Sequence, residues 1–198
     1  MNKKGCLITA GIILLISILV GTYLVSIYNS FVEKEQMVKQ KWSQVENQYQ
    51  RRLDLIPNLV NTVKGYAKHE KETLTEVIEA RSKATSVNID PTKLTPDAIM
   101  QFQAVQNGLS QALSKLMVVV ERYPDLKANQ NFLQLQAQLE GTENRIAVER
   151  KRYNETVQIY NTYLKRLPNV ILARLFGFEE YPYFEAEKGA EKAVEVKF

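Results

Sequence analysis

The clearest pattern in the chain is an apolar run over residues 6–27 (CLITAGIILLISILVGTYLVSI), which is broken only by small or mildly polar residues. A helix rises about 1.5 Å per residue and needs about 20 residues to cross the hydrocarbon core of a bilayer. A cleaved secretory signal is disfavoured because it would have a shorter apolar core and a small-residue cleavage site, which residues 28–31 (YNSF) do not provide. We expect a retained transmembrane helix that keeps the rest of the chain close to a membrane.

Beyond this run, apolar residues recur with alternating spacings of four and three along three seams, at residues 31–84, 102–123 and 132–167. Polar residues fill the positions between them, which is typical of long helices packed side by side. No segment alternates with a period of two until the last residues. The pattern predicts an all-α fold, with an N-terminal transmembrane helix followed by an elongated antiparallel helical bundle of three to four long helices.

Pro57 lies inside the first seam and leaves two arrangements open. The heptad phase crosses Pro57 without a slip, which favours one kinked helix. An unbroken helix over residues 31–84 would, however, be about 80 Å long, whereas the helix expected over residues 97–123 covers only about 40 Å. A break near Pro57 gives four segments of an up-and-down bundle, and we favour that arrangement. Continuous helicity across residues 55–59 is the alternative.

Local signals mark the ends of the later helices. Thr95 is a predicted N-cap, followed by a first-turn proline and acid. Residues 169–176 (NVILARLF) predict a short helix that ends at Gly177. The aromatic residues that follow are expected to lie back on the bundle; they are Phe178, Tyr181, Tyr183 and Phe184.

The expected organisation has four parts. A short N-terminal tail covers residues 1–4, the transmembrane helix covers residues 5–28 and the helical-bundle domain covers residues 29–184. The C-terminal residues 185–198 are rich in Glu, Lys, Ala and Gly and are expected to form a mobile tail.

Composition narrows the class of function. The net charge of +4 is spread along the chain without a block of like charges, so nucleic-acid binding has little support. A single cysteine excludes an internal disulfide framework and a cysteine-based zinc site. Lysines flank the apolar run almost equally on both sides, so the charge pattern does not decide the orientation in the membrane.

Several blocks of sequence resemble the signature of the LemA family, and together they extend from the apolar run to about residue 184. The blocks are residues 31–32 (FV), 42–46 (WSQVE), 52–60 (RLDLIPNLV), 63–70 (VKGYAKHE), 140–146 (EGTENRI), 152–154 (RYN), 160–161 (YN) and 177–178 (GF). Leu167-Pro168 stands where Phe-Pro is usual in the family, which is a mild departure.

The resemblance implies a bacterial single-span membrane protein with a helical-bundle domain, and it supplies no molecular activity. The arrangement usual for LemA-like proteins has an external N-terminus, which would place the bundle in the cytoplasm. Relatives in magnetosome membranes or beside membrane metalloproteases point to a non-enzymatic scaffold or adaptor in the inner membrane. The expected partners are the lipid bilayer and other membrane or envelope proteins, with self-association left open and no cofactor.

Enzymatic sites are poorly supported by the sequence. His69-Glu70 would need a second histidine one turn later to form a zinc helix, and position 73 is threonine. A di-iron bundle needs two Glu-x-x-His pairs, and the chain has one histidine. Serine elbows and glycine-rich phosphate loops are also missing from the sequence. We therefore expect no catalytic residues and no metal ligands.

Charged residues at seam positions form a candidate polar layer, which comprises Arg52, Glu70, Arg145 and Glu149. A charge facing the core must be paired or partly wet, because an unpaired buried charge costs several kcal/mol. The interpretation we favour is an internal ion-pair layer that fixes the register between helices, with Arg52 paired to Glu70 or Glu149. The alternative is a pocket for a small cation or ligand, which would make the protein a membrane sensor.

A repeat of Tyr-Asn one heptad apart, at residues 153–154 and 160–161, gives a candidate partner surface. The interpretation we favour places Tyr153 and Tyr160 in the core with their hydroxyls at its rim. Alternatively, Asn154 and Asn161 line a surface for a partner helix.

The last residues of the sequence (VEVKF) alternate between apolar and polar side chains. Such a tail can add as a strand to the edge of a partner's sheet, and its candidate contacts are Val194, Val196 and Phe198. A tail that is disordered, or that packs on its own domain, is the simpler interpretation.

Overall fold

The computed structural model describes residues 3–185, which contain six helices and, over that range, no strand. The helices are α1 (Lys3–Tyr66), α2 (Lys71–Ser86), α3 (Pro96–Val120), α4 (Pro124–Lys127), α5 (Gln130–Lys165) and α6 (Asn169–Phe176). The predicted all-α class is confirmed. The predicted tail covers residues 185–198, of which all but Glu185 lie outside the described residues, and with them Val194, Val196 and Phe198.

The N-terminal part of α1 is the predicted transmembrane helix. Its most apolar window has a mean hydropathy of 2.4 and is long enough to cross a membrane. Side chains from Ile12 to Val25 are exposed almost throughout, which suits contact with lipid rather than with a protein core. The helix continues without interruption into the bundle and reaches 64 residues.

Our preferred break at Pro57 was wrong, because α1 passes through this residue and ends at Tyr66. Proline has no N–H, so the carbonyl of Leu53 loses its usual helical donor. Arg81 of α2 replaces that donor, with its Nε 2.9 Å from the Leu53 oxygen. The argument from length assumed a single helix up to residue 84, but the helix ends at Tyr66 and a separate helix, α2, follows. Helix α5, with 36 residues, is long enough to lie beside the part of α1 that remains in the bundle.

The bundle is built from two antiparallel pairs. Helix α5 runs along α1, as Phe31 contacts Tyr163 near the membrane-spanning part and Tyr66 contacts Asn129 at the far end. Helices α2 and α3 pair with each other and cover the half of α1 that is farther from the apolar segment, and the start of α3 extends into the nearer half, where Phe102 contacts Trp42. Helix α6 and the chain after it cover the nearer half.

The predicted helix ends are confirmed. The Thr95 hydroxyl accepts a hydrogen bond from the Ala98 N–H at 3.2 Å, with Pro96 in the first turn of α3. Gly177 follows α6 with φ of 77°, a left-handed conformation that glycine adopts without steric cost. This turn directs the chain back along the bundle.

Candidate functional site

Arg52 is the buried charge at the centre of the bundle, and only 1% of its surface is exposed. One terminal nitrogen of its guanidinium donates to the Ser110 hydroxyl at 3.0 Å and pairs with the Glu143 carboxylate. The other terminal nitrogen donates to the side-chain oxygen of Gln106 and, at 3.3 Å, to the main-chain carbonyl oxygen of the same residue. Arg52 of α1 is therefore tied to both α3 and α5.

The pairing corrects part of the predicted polar layer. Arg52 is buried as expected, but its carboxylate partner is Glu143 rather than Glu70 or Glu149. The antiparallel register explains the choice, because Trp42 of α1 contacts Tyr153 of α5. Ten residues forward along α1 and ten residues back along α5 then bring Arg52 beside Glu143.

The other predicted members lie at different levels of the bundle. Glu70 is at the end far from the membrane, where it pairs with Arg122 at 3.1 Å. Glu149 pairs with Arg152 at 2.6 Å, one turn along the same helix, and Arg145 is exposed. Heptad spacing places residues on one face of a helix but does not give their level, so these four residues are not brought together.

A second group of polar contacts holds the chain after α6. We call residues 181–185, an extended segment lying along α5, the strap. The Asn161 amide donates to the Tyr181 carbonyl at 2.8 Å and accepts from the Tyr181 N–H at 3.0 Å. Asn154 makes the same pair of bonds with Phe184, at 3.0 and 2.9 Å. We call these two side chains the asparagine clasp. They hold the chain's own main chain, whereas the alternative interpretation of the repeat had them facing a partner helix.

The clasp works because two repeat lengths coincide. Seven residues of an α-helix rise about 10.5 Å, and three residues of extended chain cover about 10 Å. Asn154 and Asn161 are seven residues apart, while Phe184 and Tyr181 are three apart. Each amide copies the paired hydrogen bonds of a β-ladder, so the clasp recognises extended main chain.

Strap side chains complete the recognition. The Phe184 ring stacks on Trp42 with centroids 5.7 Å apart, and the Arg150 guanidinium lies 4.8 Å from the same ring. Tyr153 donates its hydroxyl to the Pro182 carbonyl at 3.0 Å. The predicted return of the aromatic cluster is observed for Phe178, Tyr181 and Phe184, whereas Tyr183 is exposed.

Tyr153 and Tyr160 lie in the core, as the interpretation we favoured has it. Burial raises the pKa of both phenols well above their usual range. It also raises the pKa of Tyr181, and the carboxylate of Glu35, which accepts its hydroxyl at 3.2 Å, raises that pKa further. The Tyr153 and Tyr181 hydroxyls are therefore neutral at physiological pH and donate to Pro182 and Glu35.

His69, in the turn between α1 and α2, is exposed. Within residues 3–185, no group of three or more His, Cys, Asp or Glu side chains is placed so that it could hold a metal ion. The described polar side chains that converge in the interior do so at Arg52 and at the clasp.

Comparison with known proteins identifies the family. Residues 41–198 match the LemA family. The chain is 25% identical over 184 residues to "Magnetosome protein MamQ 2" of Paramagnetospirillum magneticum, an alignment that covers 84% of this chain and 68% of the relative. It is 24% identical over 190 residues to MamQ of Magnetospirillum gryphiswaldense, covering 87% and 70% of the two chains. It is also 25% identical over 134 residues to "Protein LemA" of Metamycoplasma hominis, covering 68% and 58%. The match over most of its length shows that the chain belongs to the LemA family.

Proposed function

We propose that the protein is a non-enzymatic scaffold or adaptor of the bacterial inner membrane, anchored by one span and acting through contacts with envelope proteins. The single observation that carries this proposal is the continuity of α1, which passes from the apolar segment into the bundle as one helix of 64 residues. From Ile27 to Tyr66 this helix rises about 60 Å. A protein bound at the far end would be held at that distance from the bilayer.

The relatives support a role beside a membrane assembly. Two of them are named magnetosome proteins, and their similarity extends over more than four-fifths of this chain. In this proposal residues 5–28 are the anchor and residues 29–184 the rod. The Glu185 carbonyl, at the end of the strap, accepts from Gln103 at 3.1 Å and from Arg150 at 3.0 Å, so the strap is held to the rod up to its last residue.

A second candidate is a membrane sensor that binds a small ligand or ion at the Arg52 layer. It is favoured by an open cleft of about 590 Å³ whose lining includes Ser110 and Glu143. Both of these residues contact Arg52, so a ligand in the cleft would compete with the existing hydrogen bonds. Metal analysis of the purified protein separates the two functions for an ion, because a scaffold carries none in stoichiometric amount.

Photo-cross-linking in native membranes tests the scaffold. A cross-linking amino acid replaces Val118, which is 71% exposed near the far end of the rod, or Ile78, which is exposed on α2. Leu15, exposed in the apolar segment, is the matched control and should react with lipid. We expect mass spectrometry to identify discrete envelope proteins at Val118 or Ile78 and none of them at Leu15.

Two further measurements complete the test. Protease accessibility in sealed vesicles establishes which side of the membrane holds the rod. Deletion of residues 194–198 should reduce the set of cross-linked proteins if the tail binds partners. A scaffold role is contradicted if cross-linking at Val118 and Ile78 captures no more of any protein than cross-linking at Leu15 does.

A further inference from the structure

Helix α6 presents an apolar surface that the bundle leaves uncovered. Leu167, Ile171 and Leu175 recur every four residues and are 79%, 63% and 74% exposed. Phe176 at the end of the helix is also exposed, whereas Ala173 on the opposite side is buried against the bundle. Ile171 and Leu175 are four residues apart within α6 and therefore share one face of the helix, while Leu167 lies just before its first turn. We call these four residues (Leu167, Ile171, Leu175 and Phe176) the apolar foot.

The foot lies where the apolar segment of α1 ends. The Phe176 ring makes an edge-to-face contact with Tyr28, with centroids 5.2 Å apart. The Phe178 ring after the helix contacts Tyr28 at 5.8 Å and stacks on Phe31 at 4.8 Å. Ile27 is buried, although the residues before it are mostly exposed. The bundle therefore reaches the last turn of the predicted span.

The position of the foot identifies what covers it. The headgroup regions add about 5 to 8 Å on each side of the hydrocarbon core, and an interfacial helix buries its apolar face about 5–10 Å into that boundary. Aromatic residues such as Tyr28 and Phe176 favour the same depth. Arg166 and Arg174 are exposed beside the foot, and long basic side chains reach from such a position to the headgroups.

We propose that α6 is an interfacial helix whose apolar foot lies in the headgroup region of the same bilayer that α1 spans. Eight residues are too few to bind a membrane strongly by themselves, but α1 already holds them at the surface. Insertion is then an intramolecular step at high effective concentration. The rod thus contacts the bilayer at two places, which fixes its orientation about the axis of α1.

Fluorescence quenching by spin-labelled lipid tests this assignment on the full-length protein in nanodiscs of phosphatidylcholine and phosphatidylglycerol. The single native cysteine is first replaced (Cys6→Ser), and Ile171→Cys or Leu175→Cys is labelled with an environment-sensitive dye. Val118→Cys is the matched control on the rod, and Leu15→Cys is the control in the span; both side chains are exposed. All four sites lie on the surface, so the fold should be retained.

At Ile171 and Leu175 we expect a blue shift and loss of emission when the lipid carries a nitroxide near its headgroup. Val118 should show neither change, and deep nitroxides should quench Leu15. The quenching at the foot should persist at high salt, because it depends on apolar insertion rather than on charge.

The proposal is overturned if Ile171 and Leu175 behave like Val118. A blue shift without quenching by lipid would assign the foot to a second copy of the chain and would also overturn it. Absence of quenching at Leu15 would remove the span itself, and the proposal with it.

Discussion

The two halves of the bundle have cores of different composition. In the half near the apolar segment, eight of the eighteen buried residues that the structure describes are aromatic. In the far half, one of seventeen is aromatic, and the rest are aliphatic. Along α1, the last residue of the near core is Tyr49 and the first residue of the far core is Leu53. The Arg52 layer therefore lies at the boundary between the two cores.

The difference follows from what each half packs against α1 and α5. Regular helices cover the far half, and small branched side chains interdigitate well between helical ridges. A short helix, the strap, the loop after α2 and the start of α3 cover the near half, so the segments around its core are less regular. Large aromatic rings fill this part of the core, and the Tyr153 hydroxyl also satisfies the Pro182 carbonyl of the strap. The bundle therefore combines two kinds of packing along one pair of helices.

The largest effect is expected for Trp42→Ala in the near half. Trp42 is fully buried and contacts Phe102, Tyr153 and Phe184 from three parts of the fold. Its loss should reduce the free energy of unfolding by about 4 kcal/mol and release the strap. Leu116→Ala in the far half is the control and should cost about 3 kcal/mol while the strap stays protected. Denaturant unfolding and hydrogen exchange of the strap amides measure both; equal exchange in the two variants would contradict separate halves.

Removal of the charge at the boundary comes next. Arg52→Ala should cost about 3 kcal/mol, because it empties a buried position and leaves polar partners on α3 and α5 without their donor. Arg52→Met keeps most of the volume and should recover a large part of that loss. The measurement is the thermal midpoint of the protein in detergent. An unchanged midpoint in Arg52→Ala would remove the buried-layer interpretation.

The asparagine clasp should contribute less. Asn161→Ala leaves the buried N–H and carbonyl of Tyr181 without partners, at a cost of about 2 kcal/mol. Asn154 is only partly buried, so Asn154→Ala should cost about 1 kcal/mol. Both variants should increase proteolysis of the strap before global unfolding. If both variants lost the same free energy of unfolding and the strap still resisted proteolysis, the two side chains would act only within α5.

A smaller and more local effect is expected at Pro57 in the far half. Arg81→Ala should cost about 1 kcal/mol, because the Leu53 carbonyl loses its donor. In the Pro57→Ala background the new N–H can bond to Leu53, so the same substitution should cost almost nothing. A double-mutant cycle from denaturant unfolding gives this coupling. Additive effects would show that Arg81 acts by another contact.

The smallest effect is expected when the pH is changed around neutrality. The pH dependence of stability distinguishes the tyrosine-rich half from the aliphatic half. The folded state raises the pKa of Tyr153 and Tyr160, so it favours the neutral phenols over the ionised ones. This contribution is fully present below the unfolded value of about 10 and is lost as the pH rises above it. The thermal midpoint should therefore change little up to about pH 9 and fall above about pH 10. Tyr160→Phe should weaken this fall, and an identical profile would exclude these phenols as its cause.

Much of the fold could be predicted from the sequence because its determinants are local. The apolar run, the Thr95 cap and Gly177 each act within a few residues, and the seams give the helix faces. The break after Tyr66 was missed because the heptad phase continues beyond it. The Glu143 partner of Arg52 could be predicted only with the level of α5 against α1, which a single helix pattern does not contain. The clasp does leave a signal in the sequence, because its asparagines are seven residues apart and the aromatic residues they hold are three apart. The signal can be interpreted only when residues 181–185 are known to be extended.

The unbroken α1 also makes the molecule a lever. Lipid bilayers of different thickness impose different tilts on an apolar helix. With no hinge between the lipid-embedded part and the bundle, a tilt of about 10° displaces Tyr66 sideways by about 10 Å. Thickening or thinning of the surrounding bilayer is thereby converted into a lateral movement of the tip, much larger than the change in thickness that causes it.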